Sequence, residues 1–147
     1  LIEAVRATGA AIRLIGDGDV AGVIHTTDPD ETGIDIYLGT GGAPEGVLAA
    51  AALRCIGGQM QGRLQLNTEE KIARAAKMGI ADPNKVYAMD EMARGDVLFA
   101  ATGVTDGNML AGVKFGRDSI QTHTIVMRSS SGTVREIKAR HQDLDKF

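Results

Sequence analysis

Residues 37–63 read YLGTGGAPEGVLAAAALRCIGGQMQGR. The apolar run Ile34–Leu38 just before and into this stretch predicts a strand. It opens into a glycine-dense loop, Gly39-Thr40-Gly41-Gly42, and the loop leads directly into a helix. Pro44 stands where a first helical residue is expected, because a missing N–H costs nothing there. From Val47 to Ile56 nearly every residue is Ala, Leu or another apolar type, so the helix is apolar on all sides and is expected to be buried. Gly57-Gly58 ends it, since glycine accepts the left-handed geometry of a helix C-terminus.

Strand, glycine loop and helix N-terminus together form an anion-binding geometry, in which free N–H groups and the helix dipole favour a phosphate. Glu45 stands in that first turn. Its carboxylate suits the positive helix end but repels a phosphate unless a divalent cation lies between them, as oxygen-ligated Mg²⁺ does. The stretch therefore suggests a metal–phosphate site. A plain loop with an acid beside the helix start is the competing reading. Two nucleotide motifs are ruled out. No Gly-Lys-Ser/Thr follows the loop, and Pro44 occupies the third glycine position of a dinucleotide fingerprint counted from Gly39 and Gly41.

Upstream, Leu1–Thr8 predicts the end of an amphipathic helix stopped by Gly9, and Ala11–Ile15 a buried strand. Gly16-Asp17-Gly18-Asp19 then opens into Val20–Ile24, a second junction of strand, glycine and helix. Asp17 and Asp19 are placed to coordinate a cation or to accept hydrogen bonds from hydroxyls at the C-terminal end of a strand. The alternative is that one caps the helix and the other holds the turn. His25 reads as a residue at the helix end, and Asp28–Thr32 as a polar turn.

Downstream, Gln59–Leu66 alternates like a strand with one wet face. Asn67 or Thr68 caps an amphipathic helix to about Met78, with Ile72, Ala75, Ala76 and Met78 inward. Val86–Ala88 predicts a short strand, and Asp90–Ala93 a helical turn capped by Asp90. Asp96–Ala101 predicts a buried strand ending in a third glycine-rich exit, with Asp106-Gly107 as a tight turn. Val113–Phe115, Ile120–Arg128 and Thr133–Arg140 predict an antiparallel meander with a hairpin turn at Ser130-Ser131-Gly132. His123 reads as a surface residue. Arg128 with Ser129–Ser131 forms a polar cluster that suits either a phosphate or a simple turn. His141–Phe147 reads as an exposed, frayed tail. The pattern predicts one α/β domain over 1–147, a layered α/β/α arrangement with a mixed sheet.

The chain has 147 residues, enough for one domain with a proper core. A net charge of −3, no basic tract and 3 % aromatic residues argue against nucleic acid as a partner. No apolar run approaches the roughly 18 residues of a membrane-spanning helix, and none reads as a signal peptide. Cys55 is a lone cysteine within the apolar helix and reads as a small hydrophobe; its solitude fits a reducing cytoplasm. The chain opens at Leu1 within a predicted helix, without Met or a cap, so a longer polypeptide is expected.

Several of these stretches resemble class II fructose-1,6-bisphosphatases, a family that includes bifunctional fructose-1,6-/sedoheptulose-1,7-bisphosphatases. They are Asp17-Gly18-Asp19-Val20, the whole of Leu38–Arg63, the run Phe99–Gly107 and Arg128–Thr133. The resemblance implies a phosphatase of gluconeogenesis that uses Mn²⁺ or Mg²⁺ and belongs to the lithium-sensitive phosphatase superfamily. It implies a cytoplasmic homo-oligomer in which this chain is the C-terminal half of a two-half fold. Glu45 is then a metal ligand of the catalytic centre, and Asp17, Gly18, Asp19 and Gly42 hold the sugar bisphosphate. The remaining metal-binding carboxylates lie in an N-terminal half that is absent from this chain. Two rival expectations remain: a non-catalytic sugar-phosphate-binding or structural domain, and a nucleotide-binding domain.

Overall fold

The computed structural model of the protein describes residues 1–143. Six α-helices occur among them: α1 (Ile2–Ala7), α2 (Asp19–Ile24), α3 (Pro29–Thr32), α4 (Ala43–Ile56), α5 (Glu69–Lys77) and α6 (Met89–Met92). The strands are β1 (Gln61–Arg63), β2 (Val86–Ala88), β3 (Leu98–Thr102), β4 (Lys114–Phe115), β5 (Ile120–Arg128) and β6 (Thr133–His141). β1 and β2 form a small antiparallel pair. In the larger sheet β5 is central. Its full length pairs with β6, from Ile120↔His141 to Arg128↔Thr133. Its other edge is shared between β3 (Leu98↔Arg128 to Thr102↔Thr124) and β4 (Lys114↔Gln121).

The core lies where α4 meets one face of this sheet. Residues directly opposite in an antiparallel pair share a face, so Phe99 and Met127, and likewise Ala101 and Ile125, stand side by side. Phe99, Ile125 and Met127 are buried with Ala52 and Cys55 of α4, Ile24 of α2 and Leu110. A second buried cluster, Val23 with Ala49 and Leu53, joins α2 to α4 and is flanked by half-buried Tyr37, Met60 and Met89. The alanines of α4 let α2 and the sheet approach its backbone closely, and Leu53 fills the space between. Burial pushes the Cys55 thiol up from its ordinary pKa, and the thiol donates to the Val97 carbonyl at 3.6 Å. It is a core group, as its sequence context implies.

Several expectations are corrected. All strand pairs among the described residues are antiparallel, so the sheet is not mixed. The layering is seen as one helical layer on one sheet face. Ala11–Ile15 and Ile34–Leu38 are not strands: neither has a ladder partner among the described residues. Leu14 is 66 % exposed and Ile36 68 %, so their apolar pattern reflects surfaces that no described residue covers. α4 is not buried throughout; Val47 and Leu48 in its first turns are exposed, and burial begins at Ala49. In α5 only Ala75 is buried, and Met78, expected inward, is 72 % exposed beyond the helix end. Asp90 does not cap α6. Ala88 holds the cap position, and Glu91 reaches back to accept its N–H at 3.0 Å.

Other readings hold. Thr68 caps α5 by accepting the Lys71 N–H, and Val86–Ala88 is a strand. Gln61 to Leu66 keeps its alternation of exposed and half-buried residues, although only Gln61–Arg63 is a strand. Asp28–Thr32 closes into α3, with Asp28 accepting the Glu31 N–H. Asp106 holds its turn by accepting the Gly112 N–H at 2.9 Å. The hairpin turn before β6 has Gly132 at φ +55°. Of the tail expected to fray, His141 closes β6, and residues 144–147 lie outside the described residues.

Candidate active-site loop

The loop Gly39–Gly42 delivers the chain to α4, and Gly42 is the helix N-cap in extended conformation with no capping side chain. The first-turn N–H groups therefore have no side-chain acceptor of their own, and an uncapped first turn leaves such donors free. Glu45 lies in this first turn, is exposed, and folds back over the loop. A methyl group on Gly42 would collide with Oε2 of the Glu45 carboxylate. The next glycine does the same for a second acid: a methyl on Gly41 would collide with Oδ2 of Asp19. Two consecutive residues without side chains thus seat two carboxylates from different helices.

Asp19 opens α2 behind Gly18, which holds the N-cap position at φ +84°. That left-handed conformation strains any residue with a Cβ, so the glycine between the two aspartates is a backbone requirement. Asp17 accepts the Gly18 N–H at 2.7 Å and holds this turn. Asp19 makes no cap bond. Its Oδ1 accepts instead from the Tyr37 hydroxyl at 2.9 Å. The Tyr37 ring is wedged between α2 and the loop. A methyl on Gly22 would come within 2.9 Å of the ring, and one on Gly39 within 2.7 Å of the hydroxyl. Burial, then the bond to Asp19 and its negative charge, raise the Tyr37 pKa above 10.0, so the phenol stays a donor.

The structure therefore brings together Asp19, Gly41, Gly42 and Glu45, with Gly18 behind Asp19. Asp17 lies on the same turn, with its described bond purely local. Tyr37 and Gly41 were not singled out as site residues from sequence. A signal was present: Tyr37 is one of only two tyrosines, and it enters the glycine loop directly. The polar cluster at the end of β5 is spoken for. Arg128 pairs with Asp96 at 2.9 Å, and Ser129 donates to Asp96 at 3.0 Å. That arrangement holds the Asp96 carboxyl at about 2, and the cluster is a structural clasp rather than an open anion site.

As a cation site the loop has the right kind of donor, carboxylate oxygen, in insufficient number. Among the described residues no group of three or more His, Cys, Asp or Glu is placed to hold one metal ion. Hard divalent cations take about six oxygen ligands, some of them water. Glu45 and Asp19 fit as a contribution to such a shell.

The sequence model of a family described as bacterial fructose-1,6-bisphosphatase, glpX-encoded, matches residues 1–141. A protein of Synechococcus sp. (strain JA-3-3Ab) named D-fructose 1,6-bisphosphatase class 2/sedoheptulose 1,7-bisphosphatase is 43 % identical, over 96 % of this chain and 44 % of its own length. The protein of the same name from Crocosphaera subtropica is 42 % identical, over 100 % of this chain and 46 % of its own. The chain thus spans a little under half the length of these curated relatives. Among the described residues no helix is long and apolar enough to cross a membrane. With its match extending over almost every residue, the chain belongs to the glpX-encoded family of bacterial fructose-1,6-bisphosphatases.

Proposed function

We propose that this chain supplies one wall of the active site of a metal-dependent sugar bisphosphatase. The reaction is hydrolysis of the 1-phosphate of fructose 1,6-bisphosphate to fructose 6-phosphate and phosphate; the relatives are named as fructose 1,6-bisphosphatases, which supports the substrate. The seven-carbon bisphosphate in those names is the second candidate substrate. The observation that carries this reading is the seating of the Asp19 and Glu45 carboxylates against Gly41 and Gly42. An acid laid over a helix N-terminus suits a phosphate only with a cation between them.

Glu45 would hold that cation, Mn²⁺ or Mg²⁺. When bound, the ion supplies Lewis-acid polarisation of the phosphoryl group and a more acidic water. The chain's own residues bind and orient. The free N–H groups at the start of α4 receive phosphoryl oxygens. Asp19, fixed by Tyr37, accepts a hydrogen bond from a sugar hydroxyl, and Asp17 and Gly18 shape the turn beside it. Further oxygen ligands come from the rest of the polypeptide, the N-terminal half of a two-half fold of the lithium-sensitive phosphatase superfamily. The assembly proposed is a cytoplasmic homo-oligomer acting in gluconeogenesis.

The absence of a three-ligand cluster among the described residues favours a second reading for the 147-residue chain alone, a sugar-phosphate-binding domain without turnover. Phosphate release from fructose 1,6-bisphosphate with Mn²⁺, measured on this chain and on the polypeptide extended to its relatives' length, separates the two. Turnover by the extended protein that collapses in Glu45→Gln is expected. Full turnover by that variant removes Glu45 from the centre.

A further inference from the structure

On the face of the larger sheet that carries α4, beyond Ile125, lies a recess of about 360 Å³. Opposed pairs place Gln121 with Arg140, His123 with Lys138, and Lys114 with Gln121, all on that face. The lining therefore includes three cations, Lys114, Lys138 and Arg140, and no carboxylate. This segregation occurs in a chain whose net charge is −3. Among the described residues no ion pair engages Lys114, Lys138 or Arg140. Arg140 is steadied at Nε by the hydroxyl of buried Ser119, at 3.0 Å, which leaves its terminal nitrogens to an acceptor.

His123, expected on the surface, forms the floor. Its side chain is only 12 % exposed, and its Nδ1 accepts the Ala111 N–H at 3.1 Å. An accepting Nδ1 puts the ring proton on Nε2. That nitrogen is buried without a hydrogen-bond partner. The nearest acid, Glu136, stands 3.6 Å from it, is 62 % exposed and does not line the recess. Strands β4 and β6, on either side of β5, thus present two ammonium groups and an anchored guanidinium over the buried His123 ring. Guanidinium and ammonium groups converging without a counter-charge are the recognition chemistry of phosphate. The volume falls in the range of small-ligand sites.

We propose that this recess binds the phosphate group of a small phosphorylated metabolite, as a second anion site that shares no residue with the Glu45 loop. It stands independently of the catalytic reading, because its probe is inorganic phosphate in metal-free buffer and not turnover. Titration of phosphate into the ¹⁵N-labelled full polypeptide should shift the amides of Gly112, His123 and Lys138. Lys138→Ala should weaken binding roughly tenfold, the scale of one charge-assisted hydrogen bond. Lys114→Ala/Lys138→Ala should abolish it, and Lys138→Arg should retain it. Glu45→Gln should leave these shifts in place. Shifts confined to Gly39–Glu45, equal binding by the double variant, or equal displacement by chloride would each overturn the proposal. Lys114→Gln/Lys138→Gln, which keeps the side-chain stems over the sheet, replaces the alanine pair if that pair unfolds.

Discussion

The Tyr37 hydroxyl lies 2.9 Å from Oδ1 of Asp19, joining the entry to the glycine loop with the first turn of α2. Tyr37→Phe removes this bond and leaves the ring in place between Gly22 and Gly39. A loss of about 1–2 kcal/mol is expected for a bond to a carboxylate, measured by urea denaturation. Because the folded pKa of Tyr37 is raised, its contribution is full below pH 10 and is lost as pH rises through the folded value. The variant should therefore lose this alkaline limb. In the extended enzyme KM should rise more than kcat falls, since Asp19 is freed but not removed.

Gly42→Ala separates folding from function. Gly42 has φ −69° and ψ 150°, which alanine adopts without strain. The added methyl meets only the mobile end of Glu45. Thermal stability should change by less than about 1 kcal/mol, while the Mn²⁺ concentration for half-maximal activity rises at least several-fold. A variant with unaltered metal dependence would detach Glu45's posture from metal binding.

Gly18→Ala should act in the opposite sense. Its φ of +84° makes any Cβ costly, so a stability loss of about 1 kcal/mol or more is expected. Thermal denaturation reads this directly, and an unchanged midpoint would mean that the turn relaxes to another shape.

The clasp of Asp96 by Arg128 and Ser129 predicts an acid limb of stability. A carboxyl held at about 2, below its ordinary 3.8, stabilises the fold fully above pH 3.8 and is lost as pH falls towards 2. Asp96→Asn should flatten the pH dependence of the unfolding midpoint in that window. High salt should have a similar, smaller effect, since the pair is exposed.

Leu53→Ala tests the core. Leu53 of α4 is 1 % exposed and is buried in one cluster with Val23 of α2. Its truncation should cost about 2–5 kcal/mol, read from the urea midpoint with an unchanged slope.

What sequence conveyed best was local chemistry. The proline near the start of α4, its alanine run and the glycines behind it declare that helix. The Ser130-Ser131-Gly132 turn declares the last hairpin. Ala11–Ile15 and Ile34–Leu38 misled because a short apolar run records a tendency to pair, and a strand exists only where a second strand supplies the ladder. His123 misled for a related reason. Its alternation with Gln121 put both on one face, but which part of that face is covered depends on the loop carrying Ala111. The contact of Tyr37 with Asp19, eighteen residues apart, has no periodic signature at all. The placing of Asp19 and Glu45 in helix first turns behind glycines was legible, because turn glycines and first-turn acids carry meaning without knowledge of the tertiary fold.

The central position of β5 also sets a schedule for synthesis. The sheet-facing side of α4 is complete at Ile56, but the strand that covers it ends at Arg128. At translation rates of about 5–20 residues per second, roughly seventy residues mean several seconds in which an apolar helix leaves the ribosome uncovered. The last hairpin, β5 with β6, then closes quickly because its strands are neighbours in the chain. Nascent-chain stability should therefore rise abruptly as β5 emerges, and chains stalled before it should depend on chaperones.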